Sequence, residues 1–363
     1  LQAVILAGGR GTRLHPLTMS TPKPLLPLFS KPVMEHSIDL LRYHGVHDII
    51  VALSSEVQEI AEHFGDGSNW GVNIRYSVED EPKGTAGAVK LVQSHITDTF
   101  LVLSGDAVTD FDLTAAFDYH KRKSAIATML LHHADDPTDY GIVQHDPDGK
   151  ISRFIEKPKS EEIFSQTINT GIYIMEPEAL SSIPYFTNYD FARDFFPRML
   201  RNMEPVYGCR LPGYWCDVGN VILYRNAHFD TLTGRAKLEI AGTQVDEGVW
   251  IGEDAEIHQT AELVGPLFVG DGAEVRKNAA VRPFAVLGNN SLVDEAASVA
   301  RSIVGSRALI GKGTRVTDSV IGCGYRIQDQ RHIMNQVVQE ESEPKLTNQD
   351  ADYPRCNIRS IAA

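Results

Sequence analysis

Cysteine is scarce in this chain: Cys209, Cys216, Cys323 and Cys356 are four among 363 residues, with no paired spacing. That excludes a zinc ribbon and a disulfide framework, and the four are expected as free thiols. Long apolar runs are missing as well. Nothing approaches the roughly 20 unbroken residues of a membrane span, and the first strand has neither a basic leader nor a cleavage site, so the expected location is the cytoplasm. Basic runs are also absent, and the formal net charge is −14. Nucleic-acid polymers and anionic membranes are thereby excluded as natural partners, whereas a nucleotide needs only a few local cations. The hydrophobic fraction of 42% supports sizeable cores, and 363 residues exceed a usual single domain, so two domains are expected.

What is present is most telling at the start. The apolar run from Ala3 to Ala7 leads into Gly8-Gly9-Arg10-Gly11-Thr12-Arg13-Leu14, and Pro22-Lys23-Pro24 follows shortly after. A run without polar interruption suits a strand buried on both faces. Three glycines within four residues let backbone N–H groups approach an anion, with Arg13 and Lys23 adding full positive charge. The loop lacks the Gly-Lys-Ser/Thr ending of a Walker motif, and Leu14 stands where a dinucleotide fingerprint needs its third glycine. ATPase and dehydrogenase readings both weaken.

Gly8 through Thr18, with Pro22 to Pro24, resembles the opening of the sugar nucleotidyltransferases, also called NDP-sugar pyrophosphorylases. Within them the chain is most similar to the mannose-1-phosphate guanylyltransferases, particularly the bacterial branch in which this module is often fused to a phosphohexomutase. No mutase sequence is present here, although a separate mutase partner stays open. The resemblance extends to about residue 325. His15 departs from it, since relatives often carry arginine there.

Residues 1 to about 234 alternate strand-like and helical patterns, which reads as a Rossmann-like α/β domain with a mostly parallel sheet. Ligands in such sheets sit beyond the carboxyl ends of the strands, where Gly8 and Ser104-Gly105-Asp106 fall. Gly234 marks the expected boundary. From Ile251 the period becomes six: Ile251, Ile257, Leu263, Val269, Val275, Val281, Leu287, Val293 and Val299 are all aliphatic. Val304, Ile310 and Val316 continue after a one-residue slip. Hexapeptide repeats of this kind build a left-handed parallel β-helix, expected over residues 235–324 in about four coils. Residues 325–363, which include Glu340-Glu341-Ser342-Glu343-Pro344, are expected as a polar tail or linker. Leu1 already approaches the first strand, so little sequence is expected before it.

Short constellations carry the chemistry. Asp106 ends the apolar strand from Phe100 to Leu103, as a metal carboxylate or as a cap for the next helix; Mg²⁺ takes few carboxylates beside phosphate oxygens. Gly213-Tyr214-Trp215-Cys216-Asp217-Val218-Gly219 resembles a family segment whose aspartate, here Asp217, joins Asp106 at the metal. By the same resemblance Glu156-Lys157-Pro158 sets Lys157 on the sugar phosphate and Glu156 on a sugar hydroxyl. Asn169 and Thr170 hold the sugar, and Gly141, in Tyr140-Gly141-Ile142-Val143, lies against the hexose. Gly84-Thr85-Ala86-Gly87 lines the nucleoside pocket with an acidic residue before it. Either Glu79 or Glu81 can take that role, and Glu81 stands in the expected nucleotide set with Gly8, Gly9, Gly11, Thr12, Arg13, Gly84 and Thr85. Lys83 replaces a leucine common in guanylyltransferases.

The implied reaction needs no protein nucleophile. A sugar 1-phosphate is already an anion that can attack the α-phosphorus of a nucleoside triphosphate, so positioning and charge neutralisation dominate. Arg13 and Lys23 hold the triphosphate and leaving pyrophosphate, Lys157 holds the attacking phosphate, and Asp106 and Asp217 bind Mg²⁺. The expected product is GDP-mannose, with uridylyl or thymidylyl transfer to glucose 1-phosphate as the alternative. Acyl transfer by the repeat domain would need a histidine, and His258 is the only one within the regular hexads. A catalytically silent regulatory homologue would carry lesions among Gly11, Arg13, Lys23, Asp106, Lys157 and Asp217, yet all are intact. The repeats are expected to serve assembly of a homo-oligomer.

Overall fold

The computed structural model describes residues 1–9, 11–54, 58–340 and 356–360. In chain order the first elements are β1 (Gln2–Leu6), β2 (Pro27–Leu28), β3 (Lys31–Pro32), α1 (Val33–Tyr43), β4 (Asp48–Ser54), α2 (Gln58–Phe64) and β5 (Asn73–Glu79). Next come α3 (Gly84–Leu91), β6 (Phe100–Ser104), β7 (Ala107–Thr109), α4 (Leu113–Lys123), β8 (Ala127–His133), β9 (Gly141–His145) and β10 (Ile151–Glu156). They are followed by β11 (Thr167–Met175), α5 (Phe196–Arg201), β12 (Val206–Arg210), β13 (Trp215–Asp217) and α6 (Val221–Leu232). Contacts divide the chain into two compact units, one of Leu1–Gly9 with Met34–Asp217, the other of Arg10–Val33 with Val218–Ala363. The sequence rhythm places a boundary near Gly234, whereas α6 and the segment after Gly9 group with the C-terminal repeats. No helix among the described residues is long and apolar enough to cross a membrane.

The first unit is Rossmann-like. Its nine-stranded sheet runs β10-β9-β11-β6-β1-β4-β5, with β8 beside β11 and β12 beside β8. β1 is parallel to β4 and β6, and β4 to β5. Ala3, Val4 and Ile5 are wholly buried, as a central parallel strand covered on both faces requires. From β11 outward the pairing with β6, β8 and β9 is antiparallel, so the sheet becomes mixed on that side. The register sets Leu6 against Ser104, and the Gly105 amide donates to the Leu6 carbonyl at 2.9 Å. Gly8 and Asp106 therefore follow neighbouring strand ends.

The second unit contains the repeats as short strands in three sheets, one of eight strands and two of five. The first and last pairs of the eight-stranded sheet are antiparallel; between them successive strands are parallel and first repeat every 18 residues, as Val249 to Leu267 to Ala285. After Val299 the repeat shortens to 17, as Ile303 to Val320 to Val337. All twelve expected aliphatics belong to one core, continued by Ile321, Ile327, Ile333 and Val338. Parallel strands extend through Gln336–Glu340, which corrects the expectation of a tail from residue 325. The rhythm is lost in the sequence because each later coil has one five-residue step. At that corner Ser302 and Ser319 are fully buried. The Ser302 hydroxyl accepts the Ser319 amide at 3.0 Å, and the Ser319 hydroxyl accepts the Gln336 amide at 3.2 Å. The hydroxyls supply the acceptors that a tightened corner would otherwise leave unmade. The acidic stretch from Glu341 to Pro344 lies outside the described residues.

Candidate active site

In the first unit, strand pairing brings together the two segments that carry the expected metal carboxylates. β7 and β13 form a two-stranded antiparallel ladder in which Asp217 faces Ala107, the residue after Asp106. The ladder is locked from behind: the Thr109 hydroxyl donates to the Tyr214 carbonyl at 2.7 Å, and the Tyr214 amide donates to Asp110 Oδ1 at 2.6 Å. Asp106 accepts a short hydrogen bond from the Ser104 hydroxyl. It is a turn residue rather than the cap of the following helix, whose first turn is capped by Asp112 through the Ala115 amide at 2.9 Å.

β9 and β10 bring the second set together. Glu156 faces Gly141 across the ladder, and a Cβ on Gly141 would stand 2.6 Å from Phe154 Cζ and 2.8 Å from Glu156 Oε2. Only glycine leaves Glu156 its place. Burial pushes the Glu156 carboxyl above its usual range against the pull of Lys157. Lys157 is exposed, its amide held by the Tyr140 carbonyl at 3.0 Å, in the left-handed region at φ 48°. A non-glycine residue in that region marks stored strain, common at functional positions. The Tyr140 ring stands edge-on to Trp215, centroids 5.5 Å apart. Trp215 is 8% exposed, and its indole N–H has no hydrogen-bond partner among the described residues.

Asn169 and Thr170 are buried on β11. The Asn169 amide donates to the Tyr173 hydroxyl at 2.9 Å, while its oxygen accepts the Gly171 amide at 3.0 Å. The Thr170 hydroxyl donates to the Leu130 carbonyl at 2.8 Å and accepts the Ile172 amide at 3.3 Å. That hydroxyl thus ties β11 to β8 and closes its own turn of backbone.

At the nucleoside end, α3 opens at Gly84 with φ 72°, where a Cβ would meet the Tyr189 carbonyl at 2.6 Å. The same carbonyl accepts the Ala86 and Gly87 amides at 3.0 and 2.9 Å, and Thr85 Oγ1 accepts the Phe191 amide at 2.9 Å. The Ala86 and Gly87 amides in the first turn of α3 are thus spent within the protein. Glu81 is exposed and pairs with Lys83 at 3.4 Å. Glu79 differs: Oε2 accepts the Lys83 amide at 3.0 Å, and Oε1 is buried without a partner among the described residues. Burial raises its pKa, opposed by Lys83. Of the two acidic residues, Glu79 has the unmet hydrogen-bonding capacity; the sequence signal was its four-residue distance from Lys83.

The glycine-rich loop is divided. Gly8 and Gly9 are exposed beyond β1, and a Cβ on Gly9 would meet nothing within 4 Å. Gly11, Thr12, Arg13 and Lys23 belong to the second unit. There Thr12 and Arg13 are exposed, whereas Lys23 is 6% exposed. A Cβ on Gly11 would lie 3.0 Å from Lys23 Cβ, and the Thr18 hydroxyl donates to the Gly11 carbonyl at 2.8 Å.

The Nucleotidyl transferase family model matches residues 2–234 of this chain. The chain belongs to that family. A second model, the GMPPB C-terminal domain, matches residues 244–345. Among curated relatives of this nucleotidyltransferase, a UTP--glucose-1-phosphate uridylyltransferase from Synechocystis is 36% identical, with 88% of this chain and 87% of the relative covered. Mannose-1-phosphate guanyltransferase from Debaryomyces hansenii is 34% identical over 90% of this chain and 92% of its own length. The Mycobacterium tuberculosis mannose-1-phosphate guanylyltransferase is 32% identical over 90% and 81%. A Bacillus anthracis crystal structure, assigned as a glucose-1-phosphate thymidylyltransferase in complex with sucrose, has a TM-score of 0.57 at 26% identity. It covers 62% of this chain and 93% of its own. Elsewhere in this nucleotidyltransferase, His258 lies in an exposed turn and its Nδ1 accepts the amide of Thr260 at 3.1 Å, so the ring closes its own turn.

Proposed function

We propose that this nucleotidyltransferase joins GTP and mannose 1-phosphate into GDP-mannose with release of pyrophosphate. The observation that carries the choice of base is Glu79, a half-buried carboxylate with one oxygen held by the Lys83 amide and the other unmatched. Guanine offers a ring N–H beside an amino group, two donors on one edge, while uracil and thymine offer one N–H. The guanyltransferase names of the Debaryomyces and Mycobacterium relatives support the sugar. The Synechocystis relative supports a second reading, UTP with glucose 1-phosphate.

In the reaction an oxygen of the sugar phosphate forms a bond to the α-phosphorus, and the bond from that phosphorus to the bridging oxygen of pyrophosphate breaks. Lys157 holds the attacking phosphate, Arg13 and Lys23 the triphosphate, and the amides after β1 approach its oxygens. Glu156 and the Trp215 indole N–H orient sugar hydroxyls, and Asn169 and Thr170 keep β11 in place beneath them. Asp106, in the turn before β7, and Asp217, paired with the residue after Asp106, would hold Mg²⁺, which takes few carboxylates beside phosphate oxygens. Bound there, Mg²⁺ would offset charge on the reacting phosphates. The repeats, as a left-handed β-helix, would serve homo-oligomer assembly in the cytoplasm.

The test is pyrophosphate release with Mg²⁺ over GTP, UTP, dTTP and ATP against mannose 1-phosphate and glucose 1-phosphate. A dominant signal from GTP with mannose 1-phosphate is expected, lowered by about 100-fold or more in Asp106→Ala. A dominant UTP and glucose 1-phosphate signal would replace the substrates.

A further inference from the structure

The sequence motif ends at Pro24, yet the most tightly held part of this segment follows it. β2 and β3 form a hairpin, Leu28 facing Lys31, with Phe29 and Ser30 at its tip. Phe29 is 2% exposed and sits at φ 58°, a conformation that bulky residues avoid. The tip is gripped from several sides within the second unit. The Phe29 amide donates to His228 Nε2 at 3.1 Å. His228 Nδ1 lies 3.0 Å from the Tyr224 carbonyl, which fixes the proton on Nδ1 and leaves Nε2 as acceptor. The Phe29 ring stands edge-on to His228 at 5.0 Å and to Phe268 at 5.2 Å. The Ser30 hydroxyl donates to Asn289 Oδ1 at 2.9 Å, an oxygen already oriented by the Asp271 amide at 3.1 Å. The Tyr224 hydroxyl donates to the Pro27 carbonyl, and Lys31 pairs with Glu239 at 3.0 Å.

The other end of this segment is Lys23. The Leu26 amide donates to the Lys23 carbonyl at 3.1 Å, and the Val33 amide closes the hairpin on the Leu26 carbonyl at 2.9 Å. Lys23 in turn packs beneath Gly11. A continuous set of contacts thus leads from coil residues Phe268 and Asn289, through the Phe29-Ser30 tip, to Lys23 and the loop carrying Arg13. We infer that Phe268 and Asn289, together with His228 of α6, are positioning residues for the nucleotide: they hold the hairpin tip and so set the place of the Lys23 amine. The C-terminal repeats are then part of the catalytic apparatus and not solely an assembly module. This rests on the reading of Lys23 as a triphosphate contact. Charged groups act at short range, and a displacement on the order of 1 Å can cost about 100-fold in rate.

The experiment compares wild type, Phe268→Ala, Phe268→Leu, Ser30→Ala and Lys23→Ala as full chains. It measures KM for the nucleotide, KM for the sugar phosphate, and the rate at which acetic anhydride labels the Lys23 amine, read by peptide mass. Phe268→Ala is expected to raise the nucleotide KM about tenfold, leave the sugar-phosphate KM within about twofold, and speed Lys23 labelling. Phe268→Leu should restore most of both. Ser30→Ala removes a single hydroxyl, folds even where Phe268→Ala fails, and should show the same split at about threefold. Wild-type nucleotide KM and labelling in folded Phe268→Ala or Ser30→Ala, or equal rises in both KM values, would overturn the inference. If Lys23→Ala leaves the nucleotide KM unchanged, the triphosphate role of Lys23 fails by itself, and the labelling rates still decide whether the tip positions it.

Discussion

A single carboxylate shows how burial separates two neighbours that look alike in the sequence. Glu79 and Glu81 are two positions apart in the same acidic stretch, but only Glu79 has an oxygen buried without a partner among the described residues. Its raised pKa means the folded state holds the proton more readily than the unfolded chain. By linkage this group favours folding at acid pH, and the benefit is lost as pH rises through its folded pKa. At pH 7 the charged, half-buried group therefore costs stability. Glu79→Gln is expected to keep or raise the melting temperature at pH 7 while raising the GTP KM about tenfold, a loss on the order of 1 to 2 kcal/mol. Calorimetry beside steady-state kinetics checks both; a lower melting temperature with unchanged KM would make Glu79 merely structural. Among the described residues no disulfide joins Cys209, Cys216 or Cys323, and burial pushes the Cys209 thiol up to about 11.

Elements place these residues by register. The β9–β10 ladder sets Glu156 against Gly141, so the cost of a methyl group there falls on the Phe154 ring and the Glu156 carboxylate together. Gly141→Ala is expected to raise the mannose 1-phosphate KM about tenfold, the worth of one substrate hydrogen bond, with the nucleotide KM near wild type. Initial-rate kinetics with each substrate varied in turn checks this. A second element-level device joins α4, β8 and the end of β11. His120 is 1% exposed, with Nδ1 2.8 Å from the Thr128 hydroxyl and Nε2 3.1 Å from Glu176 Oε1. Burial lowers its pKa from 6.5, with Glu176 opposing. The unfolded chain thus takes up the proton first, and stability present above about pH 6.5 falls as pH drops through the folded value. Thermal unfolding from pH 8 to pH 5 should show that decline, and His120→Gln should flatten it.

At the scale of the whole molecule, the repeats form a core in which every sixth or fifth side chain points inward. Val293 is fully buried among Val275 and Ile310 of the adjoining coils. Val293→Asp would set an unpaired charge in that stack at a cost of roughly 3 kcal/mol or more. A separate low-temperature melting step, seen by circular dichroism, is the expected outcome. Nucleotide turnover should fall in the same temperature range, because Gly11, Arg13 and Lys23 belong to the unit that melts.

Much of this was legible in the order of residues. The buried β1 run, the glycine-rich loop, the strand-end aspartate and the sixfold aliphatic period all follow from local patterns of size, polarity and charge, because a strand or coil writes its own period into the chain. The continuation of the coils past residue 324 was hidden by five-residue corners that serine hydroxyls make tolerable. The burial of Glu79 beside an exposed Glu81, the inward commitment of the Thr170 hydroxyl, the pairing of Asp217 with the residue after Asp106, and the grip of the repeats on the Phe29-Ser30 tip were decided only by tertiary structure. Each depends on which groups remain unpaired, or become adjacent, once distant segments have closed over them, and no local pattern records that.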